Sequence, residues 1–188
     1  GETAYHSGAR AISDIPLSDL SGVGEVADIS SMVEDYSLYT PEMIEKVVDV
    51  KEGDILVIYT GYSRYSWDKP DVVNPKAQGG VGSKEFGFLV CHPGPSPEFF
   101  QWVLDKKLKW VGVDCGSIEH PMNTPIRRLH ENEFNKAEAK LKAKYGKTWD
   151  EMYPQDWYYE LTHVTLPKHQ TIFVESIVGQ VSELKNQR

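Results

Sequence analysis

Side chains that can bind a cation or move a proton at neutral pH are few in this sequence, so their spacing is informative. It has six histidines: His6, His92, His120, His130, His163 and His169. Imidazole and carboxylate groups are the usual donors for a catalytic divalent metal. Glu2 and His6 are four positions apart and would share one face of a helix. His163 and Glu175 are twelve positions apart, and a histidine on a helix can meet a carboxylate on the strand that follows. Glu175 comes straight after Ile172-Phe173-Val174 and is expected to end a buried strand. A carboxylate there needs a partner or a metal to offset its desolvation. The plain alternatives are a solvated terminal Glu2 and His6, and a surface His163 with a solvated Glu175.

Asp114, Ser117 and His120 follow the apolar run Trp110-Val111-Gly112-Val113. Ligands in open α/β sheets favour the carboxyl ends of strands, so these three side chains are candidates to face a substrate. Ordinary turn chemistry is the simpler account of them. His92 lies beside Cys91, but no motif supports a Cys/His nucleophile. His130 and His169 read as surface residues. Tyr62, Tyr65 and Trp67 could stack on a planar substrate, anchor their loop or cover a subunit contact.

The elements that must carry these residues alternate between strand and helix. A short strand is predicted over Glu25–Ser30 and a helix from Pro41, capped by Thr40. Gly53-Asp54 turns the chain into Ile55–Tyr59, whose unbroken apolar run suits a strand buried on both faces. Residues 61–95 are rich in Gly, Pro, Ser, Tyr and Trp and read as a long functional loop. Ser96 is expected to cap a helix starting at Pro97, followed by the strand from Trp110 to Asp114. That order suggests a crossover unit. Helices are predicted over 132–145 and from about Asp156 to Leu166, ending before Pro167. A last strand is predicted over Thr171–Glu175. The fold class is therefore α/β with a mixed central sheet and flanking helices.

Composition narrows the partners. Of 188 residues, 40% are hydrophobic and 26% charged, as in globular proteins rather than disordered ones. A net charge of −8 disfavours nucleic acid and anionic membranes as partners. No apolar stretch approaches the ~20 residues of a bilayer span. Cys91 and Cys115 form no CxxC pair and are expected to be free buried thiols, which makes the cytoplasm the default location.

Several stretches together resemble the cyclase family, which includes kynurenine formamidases and isatin hydrolases. Gly53-Asp54-Ile55-Leu56 with Thr60-Gly61-Tyr62 is similar to a family strand and its end. Pro93-Gly94-Pro95-Ser96 and Val111-Gly112-Val113-Asp114 are similar to later segments. Glu2-Thr3-Ala4-Tyr5-His6 matches the last five positions of the metal-binding signature H-x-G-T-H-x-[DE]-x-P-x-H, with Ala4 where Pro is usual. The two earlier histidines of the signature would fall before Gly1, and a further family segment would follow Arg188. The resemblance thus implies one cyclase-like domain, incomplete at both ends, whose sheet is strongly curved.

It also implies a metal-dependent hydrolase acting on a non-peptide C–N bond in a small amide or lactam. A divalent metal, Zn or Mn, would activate water and polarise the carbonyl. By the same resemblance Glu2 is a metal ligand and His6 the general acid/base. His163 and Glu175 take the places of ligands to a second metal in arylformamidase-like members; in isatin-hydrolase-like members the site is mononuclear. Family members assemble as homodimers or homotetramers. The alternative is a relative that keeps the fold without the chemistry.

Overall fold

A computed structural model describes residues 10–66, 86–154 and 161–187. Four strands form the central sheet: β1 (Gly24–Asp28), β3 (Ile55–Tyr59), β5 (Trp110–Val113) and β6 (Ile172–Val174), in the order β1-β3-β5-β6. Every pairing between them is parallel. A second, two-stranded parallel sheet joins β2 (Leu38–Tyr39) to β4 (Gly94–Pro95). The α/β class with flanking helices holds. The sheet differs from the mixed one expected, because all described pairings are parallel. Parallel neighbours need crossovers, and the helices between the strands supply them.

Alternation along β3 and β5 gives the sheet two apolar faces. Leu56, Ile58, Val111 and Val113 pack with Ala27, Ile44, Phe99, Val103 and Leu166. These contacts bring in helices α1 (Pro41–Glu45), α2 (Phe99–Asp105) and α5 (Leu161–Lys168). Val26 and Val57 face the other way, toward Val181 and Ile177. Each large aliphatic side chain buried this way contributes about 1.5–3 kcal/mol. A second cluster, with Tyr36, Leu38, Met122, Trp149 and Tyr153, lies under α3 (Glu131–Tyr145) and α4 (Trp149–Met152).

Local signals explain most of the boundaries. The Thr40 hydroxyl accepts a 3.3 Å hydrogen bond from Met43 N at the start of α1, as the sequence predicts. Gly146, at φ 67°, ends α3 in the left-handed conformation that favours glycine. Two boundaries differ from expectation. Helix α2 starts at Phe99 rather than Pro97, because Ser96 only closes a turn, its carbonyl accepting from Phe99 N. Helix α5 runs past Pro167 to Lys168. A proline so near the end interrupts little, since Thr171 N and His169 N both bond the Leu166 carbonyl and close the helix. The predicted start of this helix near Asp156 lies outside the described residues, as does Trp67.

In a parallel sheet all carboxyl ends share one edge. Here Thr60 follows β3, Asp114 follows β5 and Glu175 follows β6. The candidate chemistry therefore gathers on one side of the molecule.

Candidate active site at the carboxyl edge of the sheet

His163 on α5 and Glu175 after β6 meet. Nε2 of His163 lies 3.1 Å from Oε1 of Glu175, with both side chains partly buried. The same oxygen accepts from the Ser117 hydroxyl at 2.9 Å and from Ile118 N at 2.8 Å. Burial alone would raise the Glu175 pKa. The hydrogen bonds from His163, Ile118 and Ser117 outweigh it and hold the carboxyl below its ordinary value. Phe173 packs edge-on against the His163 ring, with centroids 4.9 Å apart. One expectation needs correction. Strand β6 is only partly buried, because it is the last strand of the sheet, and Glu175 sits just beyond it. Donors gathered by the loop after β5, rather than burial of the strand, fix this carboxylate.

Asp114 and His120 turn into the interior, while Ser117 turns to Glu175. Asp114 is fully buried. It accepts hydrogen bonds from Thr60 N (2.6 Å), Thr60 Oγ1 (2.6 Å), Gly61 N (2.9 Å) and Ser63 N (3.3 Å). It thereby ties the end of β3 to the end of β5. Desolvation raises its pKa, against the opposing pull of the Thr60 and Ser63 hydrogen bonds. Ser117 serves Glu175. His120 is also fully buried. Its Nδ1 accepts from Met122 N at 3.0 Å, so the ring proton is on Nε2, which donates to the Tyr36 carbonyl at 3.2 Å. Both ring nitrogens are thus occupied, and the Trp149 ring packs against the imidazole at a tilt of 48°, with centroids 4.5 Å apart. His120 also packs tightly on β4: a Cβ at Gly94 would lie 2.3 Å from the His120 Cα.

The Cys91/His92 pair is not a nucleophilic dyad. The His92 Nδ1–H donates to the Pro93 carbonyl at 2.8 Å, while Cys91 Sγ lies 3.2 Å from the Tyr36 hydroxyl. Burial pushes the thiol up to about 11, far from a thiolate at neutral pH. Both cysteines are free and buried, as expected. Tyr62 is buried and hydrogen-bonds Asp35, and Tyr65 packs against it at 5.5 Å. These two rings therefore anchor the start of their loop.

Glu119 is a residue that sequence reasoning missed. It is 1% exposed, and its carboxylate accepts from Thr162 N at 2.7 Å, from the Thr162 hydroxyl and from Asn123 Nδ2 at 3.2 Å. Its position two residues after Ser117 carried no signal of its own, since the partner that ties it to another element, Thr162, comes from far along the chain.

Glu2 and His6 lie outside the described residues. Among the described residues no group of three or more His, Cys, Asp or Glu side chains is placed to hold a metal ion. His163 and Glu175 are nonetheless an imidazole and a carboxylate in contact. That donor chemistry suits Zn²⁺ or Mn²⁺ as two members of a larger set. Among the described residues no helix is long and apolar enough to cross a membrane.

A parallel α/β sheet with acidic and imidazole groups at its carboxyl edge defines the general class, and comparison with known proteins narrows it. A family model described as "Putative cyclase" matches residues 2–120. The chain belongs to the cyclase family. An isatin hydrolase bound to the product analogue thioisatinate superposes with a TM-score of 0.59 at 16% identity, covering 93% of this chain and 53% of that one. Isatin hydrolase A from Labrenzia aggregata, bound to benzyl benzoate, gives a TM-score of 0.59 at 13% identity, covering 92% and 54%. The chain thus spans about half the length of the isatin hydrolase chains it matches. No curated protein matches it.

Proposed function

We propose that this chain forms part of a hydrolase that cleaves a non-peptide C–N bond in a small amide or lactam, with a divalent cation, Zn or Mn, as cofactor. The observation that carries the reading is the contact between His163 and Glu175 at the carboxyl edge of the sheet. Family membership and the fold shared with isatin hydrolases support it.

In this reading Glu2, His163 and Glu175 are ligands. A bound cation would polarise the substrate carbonyl and make a water molecule more acidic. Ser117 and Ile118 N hold the Glu175 carboxylate in one orientation and keep it ionised. His6 carries the proton from the attacking water to the departing nitrogen, a task suited to an imidazole whose unperturbed pKa is about 6.5. We further propose a cytoplasmic homodimer or homotetramer.

Hydrolysis of a panel of aryl formamides and lactams, with Zn²⁺ or Mn²⁺ added, tests this reading. Turnover of at least one substrate is expected. His163→Ala and Glu175→Gln should each lower kcat/KM by at least ~100-fold, the upper end of what removing a supporting partner of a metal site does. Turnover by both variants at the parent rate would remove His163 and Glu175 from the mechanism.

A further inference from the structure

The His163–Glu175 contact is closed into a ring by groups that do not themselves meet the other partner. Glu175 is held by Ser117 Oγ, and Ser117 Oγ in turn accepts from Glu119 N at 3.0 Å. The Glu119 side chain then reaches across to α5, where Thr162 donates both its backbone N–H and its hydroxyl to Oε2. Thr162 immediately precedes His163, so the ring returns to Glu175 through the imidazole. One short loop after β5 thus holds the carboxylate with its serine and the helix bearing the imidazole with its glutamate.

Glu119 takes the backbone N–H of Thr162 as well as its hydroxyl, so its hold reaches the main chain next to His163. Further along, Pro167 has no N–H to offer the carbonyl of His163, four residues before it. A carboxylate as buried as that of Glu119 would be costly without its three donors, so it holds them firmly.

We propose that Glu119 is a positioning residue that fixes His163 against Glu175 before any ligand arrives. It acts through Thr162 and touches neither substrate nor cofactor. The inference rests on the reading of His163 and Glu175 as site residues, but it concerns where His163 sits, which can be observed without turnover.

The test is NMR of the protein with isotope-labelled histidine. The His163 ring signal is assigned by its absence in His163→Gln. Its displacement by the Phe173 ring current is shown by Phe173→Leu. In Glu119→Ala the His163 signal should lose most of that displacement, while the signal of buried His92 stays in place and reports an intact core. Glu119→Gln keeps an acceptor for Thr162 and should retain the displacement. Thr162→Val removes only the hydroxyl and should give an intermediate shift; it decides the matter if Glu119→Ala does not fold. A His163 signal unmoved in both Glu119→Ala and Thr162→Val overturns the proposal. If the parent protein turns over a substrate, Glu119→Ala should also lower kcat/KM by about 10–100-fold, with Glu119→Gln restoring most of it. Absence of turnover in the parent together with a displaced His163 signal in Glu119→Ala would count against the hydrolase reading and leave Glu119 in its positioning role.

Discussion

Lowering the pH from 7 to 5 should remove about 4 kcal/mol of folding stability through His92 and His120 alone. Both are fully buried and neutral. Burial brings His92 down to about 4, partly countered by the Pro93 carbonyl and the Glu175 charge. Burial brings His120 down to about 3, with the neighbouring His92 adding to the effect and the Tyr36 carbonyl opposing it. In the unfolded chain both titrate near ~6.5. Above that pH neither state is protonated and the full stability is present. As pH falls through 6.5 the unfolded chain takes up protons that the fold refuses, so stability drops until the folded values near 4 and 3 are reached. Asp114 and Glu119 oppose this at the acid end, because burial raises their pKa values and the fold takes their protons first. A loss of this size is a large part of the ~5–15 kcal/mol typical of a domain. Urea unfolding at pH 7, 6 and 5 measures it. A stability that stays flat between pH 7 and 5 would show that the two imidazoles are not buried as described.

Replacing Asp114 by Ala should cost about 3–5 kcal/mol. Its carboxylate is the acceptor for three backbone N–H groups and one hydroxyl, all in a buried turn. Each buried donor left unmatched costs about 1–3 kcal/mol, although the turn relaxes and some donors find water. Asp114→Asn should be nearly as damaging. Its carbonyl oxygen can serve Thr60, but its amide N–H₂ would then face the N–H groups of Gly61 and Ser63, donor against donor. Chemical denaturation of the two variants checks both statements. A loss below about 1 kcal/mol in Asp114→Ala, the size of an ordinary surface change, would contradict the tie between β3 and β5.

Much of the scaffold could be read from the chain itself. Ile55–Tyr59 and Trp110–Val113 are apolar runs bounded by turns, and burial on both sides of the sheet is what such runs need. Thr40 followed by Pro41 sets a helix start by local chemistry alone. Where the reading slipped, the deciding partner was distant or the local rule was overridden. Ser96-Pro97 looks like a helix start but closes a turn. Pro167 looks like a stop, yet the bonds at Leu166 close the helix after it. His120 looked open to a ligand because nothing nearby in sequence announces Tyr36 and Trp149 as its neighbours. The His163–Glu175 meeting was legible from their spacing together with the family resemblance. The role of Glu119 was not, since Asn123 and Thr162 reach it only once the fold has formed.

Calorimetric titration of Zn²⁺ and Mn²⁺ into the metal-free protein and into Glu175→Gln most directly tests whether this edge of the sheet is a metal-dependent site. Saturable binding of one of these ions, weakened at least ~10-fold by the substitution, is the result expected. Binding of equal strength in both proteins would contradict the assignment of Glu175 as a ligand, and with it the proposed site.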